Sequence, residues 1–305
     1  MAWSEAEIGD LGGRTVLITG ANSGLGLRSA QVLAAHGAHV LVGCRSIERG
    51  HAAIAAIEGP AELLELDLAD LASVHKAAAE VRERTGDRLD VLMNNAGVMG
   101  TPSSTTVDGF ELQIGTNHLG HAALTWLLMP ALRTTPGSRV VTLSSLAHRG
   151  GGLDVDDLNF QRRRYNAVGA YSQSKLANLL FAFELDRRLR AAGDSVLSVA
   201  AHPGMTDTSL STNSTRLRFG SAAAKVVAVG NKFVTQSVER GALPQLYAAV
   251  APDVVGGQYW GPAGPAELFG KPALAKPRAA ALNPDLGRTL WQRTAELTGV
   301  SPDPA

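Results

Sequence analysis

The sequence predicts an α/β protein built on one doubly wound parallel sheet with helices on both faces. Two observations predict this fold. A short β-branched run at residues 15–19 leads into a glycine-rich turn and then a helix, as a buried parallel strand does. Strand-like and helix-like segments then alternate along the 305 residues, which is the pattern of parallel strands joined by crossover helices. Such sheets bind ligands at the carboxyl ends of their strands.

The elements follow in order from a polar lead-in at residues 1–12, after which a single domain covers 13–305. Strands are predicted at 15–19, 39–44, 62–66, 89–93, 139–143, 196–201 and 258–260. Helices are predicted from the glycine-rich turn to 36, up to about 57, and at 71–85, 108–132, 170–192 and 235–249. Three segments are interpreted separately: an irregular insertion at 148–169, a substrate lid at 203–232 and a tail at 262–305.

Composition excludes several classes of function. The chain has 28 basic and 28 acidic side chains, which argues against a nucleic-acid or anionic-membrane surface as its main partner. The basic run at 162–164 is interpreted as a solvated loop. Cys44, the single cysteine, cannot form an internal disulfide and is expected to be a small buried side chain. Without a signal pattern or a long apolar run, we expect a soluble, cytoplasmic protein with no integral membrane segment; surface association through an amphipathic helix stays open.

A glycine-rich turn, Gly20-Ala21-Asn22-Ser23-Gly24-Leu25-Gly26, follows the first strand. Its glycines allow the backbone to turn sharply and to approach a pyrophosphate, and the next helix would direct its free N–H groups at the same place. The spacing is G-x-x-x-G-x-G. The alternative is a turn without a ligand, but the position between strand and helix favours a nucleotide site.

Tyr171 and Lys175 lie four positions apart at the start of an apolar helix. Helical spacing places the phenol and the ammonium on one face. A fixed cation nearby is expected to lower the pKa of the phenol, so that the group exchanges a proton closer to neutral pH, as carbonyl reduction requires. The alternative is a half-buried ring beside a solvated lysine.

Several motifs in matching order resemble the short-chain dehydrogenase/reductase family over roughly residues 13–262, which implies the Rossmann fold. They are Thr19-Gly20-x-x-x-Gly24-x-Gly26, Asn94-Asn95-Ala96-Gly97, Asn117, Ser144-Ser145, Tyr171-x-x-x-Lys175 and Pro203-Gly204. The phrases at 117–121 and 171–178 look most like the retinol-dehydrogenase-like branch, which resembles this chain in carrying an insertion before the tyrosine.

The resemblance implies four catalytic residues. Ser145 would hold the substrate oxygen, Tyr171 would exchange the proton, Lys175 would bind the ribose and lower the tyrosine pKa, and Asn117 would support a proton-relay water. Asparagine is a poor helix former, so its presence in the middle of a predicted helix favours a functional role for Asn117. The alternative is that Asn117 is only an exposed polar residue. Ser144 is a rival for Ser145, and the family pattern favours the second serine. Tyr165 is not a rival for Tyr171, because glycine and not lysine stands at position 169.

The resemblance also implies a set of cofactor-binding residues. Asp67 would contact the adenine, Asn94 with the Ala96-Gly97 backbone the adenosine ribose, and Thr208 the nicotinamide amide. Asp67 is alternatively a cap of the helix at 71–85, although Asp70 is better placed for that role. The full predicted set comprises Gly20, Asn22, Ser23, Gly24, Leu25, Gly26, Arg45, Asp67, Leu68, Asn94, Ala96, Gly97, Tyr171, Lys175, Pro203, Gly204 and Thr208.

The end of the second strand predicts NADP(H) in preference to NAD(H). Sheets specific for NAD carry a carboxylate there for the ribose hydroxyls, whereas this chain has Cys44 followed by Arg45. A guanidinium can bind a 2′-phosphate through two hydrogen bonds and a full charge. Arg45 is alternatively a solvated residue, and Arg49 or Arg28 could share the phosphate.

The sequence therefore predicts an NADP(H)-dependent oxidoreductase for a small lipophilic alcohol and its aldehyde or ketone, of unknown identity. Apolar residues that could line the cleft are Val98, Met99, Leu146, Met205, Leu210, Leu217 and Phe219; they are alternatively ordinary core. A catalytically silent nucleotide-binding regulator is the alternative function, although such relatives usually lose the tyrosine or the lysine. The resemblance implies a homodimer or homotetramer formed through the helices near 108 and 170. No metal is expected, since His118 and His121 lack further ligands.

Overall fold

The computed structural model describes residues 3–206 and 236–305, and its strands form one sheet. Within these residues eight strands lie in the order β3-β2-β1-β4-β5-β6-β7-β8. The strands are β1 Thr15–Thr19, β2 His39–Cys44, β3 Ala61–Glu65, β4 Val91–Asn94, β5 Arg139–Leu143, β6 Leu197–Ala201, β7 Tyr259–Pro262 and β8 Pro272–Leu274. All neighbours pair in parallel except β7 and β8, which are antiparallel. The parallel, doubly wound sheet is confirmed.

Helices cover both faces of this sheet. They are α1 Gly24–Ala35, α2 Ile47–Ile54, α3 Leu71–Thr85, α4 Gly120–Arg133, α5 Ala167–Ala191, α6 Val238–Val250 and α7 Pro284–Thr298. The side chains of β1 alternate between the two cores: Val16 and Ile18 pack with α1 and α6 on one face, and Leu17 packs with α3 and α4 on the other.

The strand order reverses between β1 and β4, which pair with each other while their chain neighbours lie on opposite sides. A crevice forms at the carboxyl ends of two such strands, because the segments that follow the two strands run in opposite directions along the sheet. Thr19, Asn94, Leu143 and Ala201 are the last residues of β1, β4, β5 and β6. The predicted motifs follow these four ends, so the topology brings them to one edge of the sheet.

Two predicted helices begin at different residues from those expected, and capping explains both. The helix expected from 108 begins at Leu112, because the Glu111 carboxylate accepts from the backbone N–H groups of Gln113 and Ile114 at 2.9 and 2.8 Å. The helix expected from 170 is α5, which begins at Ala167 behind the side-chain cap of Asn166.

The segment 262–305 was expected to be a tail, and that expectation is wrong for most of its length. It contains β8, which extends the sheet, and α7, which packs against α5 and α4. Asn283 caps α7, Pro284 occupies its first position, and Gly299 ends it in a left-handed conformation (φ 66°). These are ordinary helix boundary signals, so this helix was predictable from the sequence.

The insertion at 148–169 is irregular, as expected, but its basic run is not simply solvated. Asp157 is almost fully buried, and its carboxylate accepts from the Gln161 backbone N–H at 2.7 Å and from Arg163 Nε at 3.1 Å. Arg163 also donates to Gln173 of α5 at 3.0 Å. One arginine of the run thus anchors the insertion to α5.

None of the helices in residues 3–206 and 236–305 is long and apolar enough to cross a lipid bilayer.

Candidate active site

The glycine-rich turn leaves β1 and passes close to the segment after β4. Gly20 and Gly24 have φ of 67° and 54°, which side chains rarely adopt. A Cβ on Gly20 would lie 2.9 Å from the Cα of Ala96. Ser23 makes no side-chain cap at the start of α1, so it leaves the first-turn N–H groups without a side-chain acceptor. Asn22, Ser23, Leu25 and Gly26 are all in this turn, which has the form of a phosphate cradle.

Thr19 fixes the turn to the Asn95-Ala96 segment. Its hydroxyl accepts from the backbone N–H groups of Asn95 and Ala96 at 3.0 and 2.9 Å. The neighbouring Asn94 is fully buried, and its amide donates to Thr125 of α4 at 2.9 Å. Asn94 Oδ1 is one of the buried side-chain oxygens that have no hydrogen-bond partner among the described residues, and the Ala96-Gly97 backbone follows it in the chain.

Tyr171 and Lys175 come together on α5 as the spacing predicted. Lys175 Nζ lies 5.7 Å from the Tyr171 ring centroid and donates to the Leu143 carbonyl at 3.3 Å. A Cβ on Gly97 would lie 3.4 Å from Lys175 Nζ, so the ammonium faces the backbone that follows β4.

The expected lowering of the Tyr171 pKa is not what this arrangement gives. Burial raises the pKa of Tyr171, and a hydrogen bond with Ser145 only partly opposes that effect. Burial also lowers the pKa of Lys175 to about 8. The prediction was wrong because it considered only the effect of the lysine charge on the phenol pKa. Removing both groups from water has the larger effect on each pKa.

The two serines after β5 have different roles. Ser144 is buried, and its hydroxyl donates to the Lys175 carbonyl at 2.8 Å. The Ser145 hydroxyl accepts from the Ala147 backbone N–H at 3.2 Å and interacts with Tyr171. Ser144 is thus bound to the backbone of α5, and Ser145 is the serine that interacts with the Tyr171 phenol.

Asn117 is in a π-helical turn, Gly115–Leu119, which precedes α4. Its side chain is fully buried and bonded on both sides: Oδ1 accepts from the Val98 N–H at 2.8 Å, and Nδ2 donates to the Val98 carbonyl and to Ser174 Oγ, both at 2.9 Å. The exposed-position alternative is therefore wrong. Asn117 ties the segment after Gly97 to α5, and π turns of this kind occur frequently at functional sites.

A family profile described as short chain dehydrogenase matches residues 14–218. The chain belongs to the short-chain dehydrogenase/reductase family. It is 40% identical over 295 residues to retinol dehydrogenase 13 of Homo sapiens, across 94% of this chain and 85% of that protein. It is also 40% identical over 303 residues to polyprenol dehydrogenase of Mus musculus, across 94% and 84%. It is thus an oxidoreductase that acts on CH–OH groups.

Solved structures give the same family. A crystal structure from Mycobacterium paratuberculosis superposes with a TM-score of 0.83 at 42% identity and covers 99% of both chains. A protein of Beutenbergia cavernae crystallised with NADP has a TM-score of 0.62 at 25% identity, across 82% of this chain and 95% of that one. Members of the family bind a nicotinamide cofactor, and the cradle around Gly20 and Gly97 fits such a group.

β2 ends in Cys44, which is buried as expected. The Arg45 side chain is 67% exposed, and its Nη1 lies 3.7 Å from an oxygen of Asp67. Arg28 is paired with Glu5.

The two aspartates that were alternatives for the cap of α3 are now distinguished. Asp70 caps that helix by accepting from the Ala72 and Ser73 N–H groups at 2.9 and 3.4 Å. Asp67 accepts from the Ala69 N–H at 3.0 Å, and its neighbour Leu68 is buried. Asp67 is therefore free of the capping role.

Pro203 and Gly204 follow β6 at the other end of the crevice. Gly204 has φ of 65°, which explains the need for glycine there. Thr208, predicted at the nicotinamide amide, lies outside the described residues, as do Leu210, Leu217 and Phe219. Val98, Met99 and Leu146 are half-buried near the catalytic residues, and Met205 is exposed.

His121 was considered only as a metal ligand, and the structure gives it another role. Nδ1 contacts the Asn117 carbonyl at 2.9 Å, and Nε2 contacts Thr19 Oγ1 at 2.8 Å. Because a carbonyl only accepts, Nδ1 carries the proton, and burial lowers the pKa of His121 to about 4. This neutral ring joins the π turn to the glycine-rich turn. Within the described residues, no group of three or more His, Cys, Asp or Glu side chains could hold a metal ion.

Proposed function

We propose that the chain is an NADP(H)-dependent oxidoreductase that interconverts a small lipophilic alcohol and its aldehyde or ketone. The observation that carries the proposal is the meeting of Ser145, Tyr171 and Lys175 beside Gly97, at the carboxyl ends of β4 and β5. The names of the relatives, retinol and polyprenol dehydrogenase, support a lipophilic alcohol.

Each of Tyr171, Ser145 and Lys175 would have a separate role in the reaction. Because burial raises the pKa of Tyr171, the phenol is protonated at neutral pH and can donate its proton to a carbonyl oxygen. Ser145 would hold that oxygen by a hydrogen bond. Lys175 Nζ donates to the Leu143 carbonyl and lies beside the backbone of Gly97, where it would hold the ribose. A bound nicotinamide cofactor supplies the hydride.

Replacing Tyr171 with Phe tests this mechanism. The ring still fills its space and only the transferable proton is lost, so turnover should fall by about 10²–10⁴-fold while NADPH binding stays nearly unchanged. Turnover is measured through the absorbance of the reduced cofactor with a panel of aldehydes, ketones, steroids and retinoids, and binding through cofactor fluorescence. Lys175→Ala should weaken both turnover and binding.

Tyr165→Phe is the matched control. Tyr165 is a nearby tyrosine whose hydroxyl donates to the Thr101 carbonyl at 2.9 Å, away from Lys175. It should retain most of the wild-type turnover. Wild-type turnover in Tyr171→Phe would contradict the mechanism.

The preference for NADP(H) rests on Cys44 and Arg45. A buried thiol stands where a carboxylate would repel a 2′-phosphate, and the exposed Arg45 guanidinium can meet that phosphate. The carboxylate of Asp67 lies near the same guanidinium and limits the gain. A charge-assisted contact of this kind contributes roughly 1.5–3 kcal/mol.

Arg45→Ala should therefore raise the NADPH dissociation constant about ten- to hundredfold and leave NADH binding almost unchanged. Arg28→Ala is the control, because Arg28 is engaged by Glu5 and should affect neither cofactor. Equal losses for both cofactors in Arg45→Ala, or a wild-type preference for NADH, would show that Arg45 does not select the phosphate.

An apolar substrate is the third part of the proposal. Val98, Met99 and Leu146 are half-buried around the catalytic residues, and apolar side chains in such a place favour a ligand with little charge. Activity should appear with aliphatic or isoprenoid carbonyls in the panel. Activity confined to charged sugars or acids would rule this substrate class out.

A further inference from the structure

One carboxylate from the segment after β7 lies against two active-site turns. Glu267 Oε2 accepts from His202 Nε2 at 3.0 Å and from Arg149 Nη2 at 2.6 Å. Its other oxygen accepts from the Lys276 backbone N–H at 3.0 Å. The Glu267 side chain is only 18% exposed. A partly buried carboxylate with three donors is held in one place, so Glu267 connects three parts of the chain.

His202 carries one of these connections to the Pro203-Gly204 turn. Its Nδ1 accepts from the Gly204 N–H at 3.2 Å, so the ring proton is on Nε2 and points at Glu267. The ring is fully buried, and Gly261 makes room for it, since a Cβ there would collide with Nε2. Glu267 thus fixes the tautomer and the orientation of a ring that supports the turn.

Arg149 carries the other connection to the turn of Ser145. It is the last residue of a 3₁₀ turn, Leu146–Arg149, which begins directly after Ser145. Its guanidinium donates to Glu267 and also to the Lys276 carbonyl at 3.1 Å. The turn that positions the serine hydroxyl is therefore attached to the same carboxylate as the Pro203-Gly204 turn.

The backbone at this point is strained. Ala266 and Glu267 have φ of 52° and 60°, a conformation that residues with side chains rarely adopt. The Glu267 N–H donates to the Gly264 carbonyl at 2.9 Å, and the Met205 N–H donates to the Leu268 carbonyl at 2.8 Å. Gly204 lies so close to the Leu268 carbonyl that a Cβ there would collide with it. Strain of this kind persists where the surroundings impose it, which is frequently at a functional site.

We propose that Glu267 is a positioning residue that holds the Ser145 turn and the Pro203-Gly204 turn in register with each other through Arg149 and His202. The proposal rests on the proposed function in one respect, since it takes these two turns to be the sides of the crevice that receive the substrate oxygen and the nicotinamide. Glu267 itself touches neither reactant.

Glu267→Gln tests the proposal, because it keeps the side-chain shape and removes the charge. Amide hydrogen exchange is measured on the full chain without cofactor. Exchange should become about ten- to hundredfold faster in peptides covering 146–150 and 202–206 and stay unchanged in peptides of β1 and β2. Glu296→Gln is the matched control, because Glu296 forms an exposed pair with Arg293 at 2.9 Å and should change neither region.

Arg149→Gln removes only the connection from Glu267 to the Ser145 turn and leaves the connection through His202. It also tests the proposal if Glu267→Gln fails to fold. Its side chain is 37% exposed, so the substitution leaves the core intact. Exchange should rise only at 146–150, and kcat should fall about tenfold with little change in the NADPH dissociation constant. Glu267→Gln should raise that dissociation constant and lower kcat together. A role in folding alone would not separate the two constants in this way.

Unchanged exchange at both turns, or a rise spread equally over β1 and β2, would overturn the proposal. A wild-type chain that binds neither nicotinamide cofactor would instead refute the proposed function, and the exchange result would still decide whether Glu267 holds the two turns.

Discussion

At the scale of single residues, Lys175 shows a conflict between stability and function. It is buried, and its Nζ donates to the Leu143 carbonyl at 3.3 Å. Burial lowers its pKa from 10.5 to about 8, so the folded chain binds this proton less tightly than the unfolded chain. At about 1.4 kcal/mol for each pH unit, keeping the ammonium charged at neutral pH costs about 3 kcal/mol.

Lys175→Met should therefore stabilise the cofactor-free protein. Near pH 7 we expect the free energy of unfolding to rise by about 3 kcal/mol, because methionine fills similar space without a charge. The difference should shrink as the pH rises from about 8 towards 10.5, where wild type no longer has to charge the lysine in the folded state. Urea denaturation at both ends of this window measures it.

Lys76→Met is the control, since Lys76 is 67% exposed and should show no such pH-dependent difference. If Lys175→Met is less stable than wild type both near pH 7 and near pH 10.5, the buried lysine stabilises the fold through interactions beyond its hydrogen bond to Leu143, and the expected cost of burying its charge is wrong.

At the scale of elements, capping decides between the two aspartates before α3. Asp70 satisfies two N–H groups at the start of that helix, and an oxygen of Asp67 lies 3.7 Å from Arg45 Nη1. Asp70→Ala should lower the free energy of unfolding by about 0.5–2 kcal/mol and leave NADPH binding unchanged. Asp67→Asn should weaken NADPH binding and leave the free energy of unfolding unchanged. Thermal denaturation and cofactor titration of both variants check this, and a binding loss in Asp70→Ala would contradict the division.

The elements with local signals were predictable from the sequence. β1, β2 and β5 have the predicted bounds, and α3 lies at the predicted 71–85. In these segments hydrophobic periodicity, caps and glycines all indicate the same structure. α7 has boundary signals too, but they lie among Pro, Gly and Ala residues, a composition that favours an irregular tail.

Features that depend on distant contacts were not predictable in this way. His202 and Glu267 are 65 positions apart, and neither residue type nor spacing indicates that they meet. The pKa shifts of Tyr171 and Lys175 depend on burial, which a pair of residues four positions apart does not reveal. The motifs therefore identify the candidate residues, while the contacts that support them can be seen only in the fold.

At the scale of the whole molecule, α7 closes the surface formed by α4 and α5. The Trp291 ring stacks on Phe181 with centroids 5.3 Å apart and meets Trp126 edge-on at 4.9 Å. The Arg188 guanidinium lies 4.8 Å from the same ring. Thr294 pairs with the buried His118 at 2.9 Å. The last helix is therefore part of the core and not an appendage.

This packing bears on self-association. The family resemblance implied a dimer or tetramer formed through the helices near 108 and 170, but α7 of the same chain packs on those helices. Association through that surface would require α7 to leave it. The oligomeric state stays a prediction, and we expect the intact chain not to pair through α4 and α5.

Trp291→Ala should show how much of the molecule depends on this contact. Trp291 is 2% exposed, and truncating a buried tryptophan removes its stacking and leaves a cavity, which costs about 3–5 kcal/mol. We expect that loss in urea denaturation, together with concentration-dependent association in light scattering as the α4 and α5 surface becomes accessible. Arg293→Ala on the exposed side of the same helix should stay within about 0.5 kcal/mol of wild type. A loss below about 1 kcal/mol in Trp291→Ala would mean that α7 packs loosely, and the surface beneath it would then be open to a second copy of the chain.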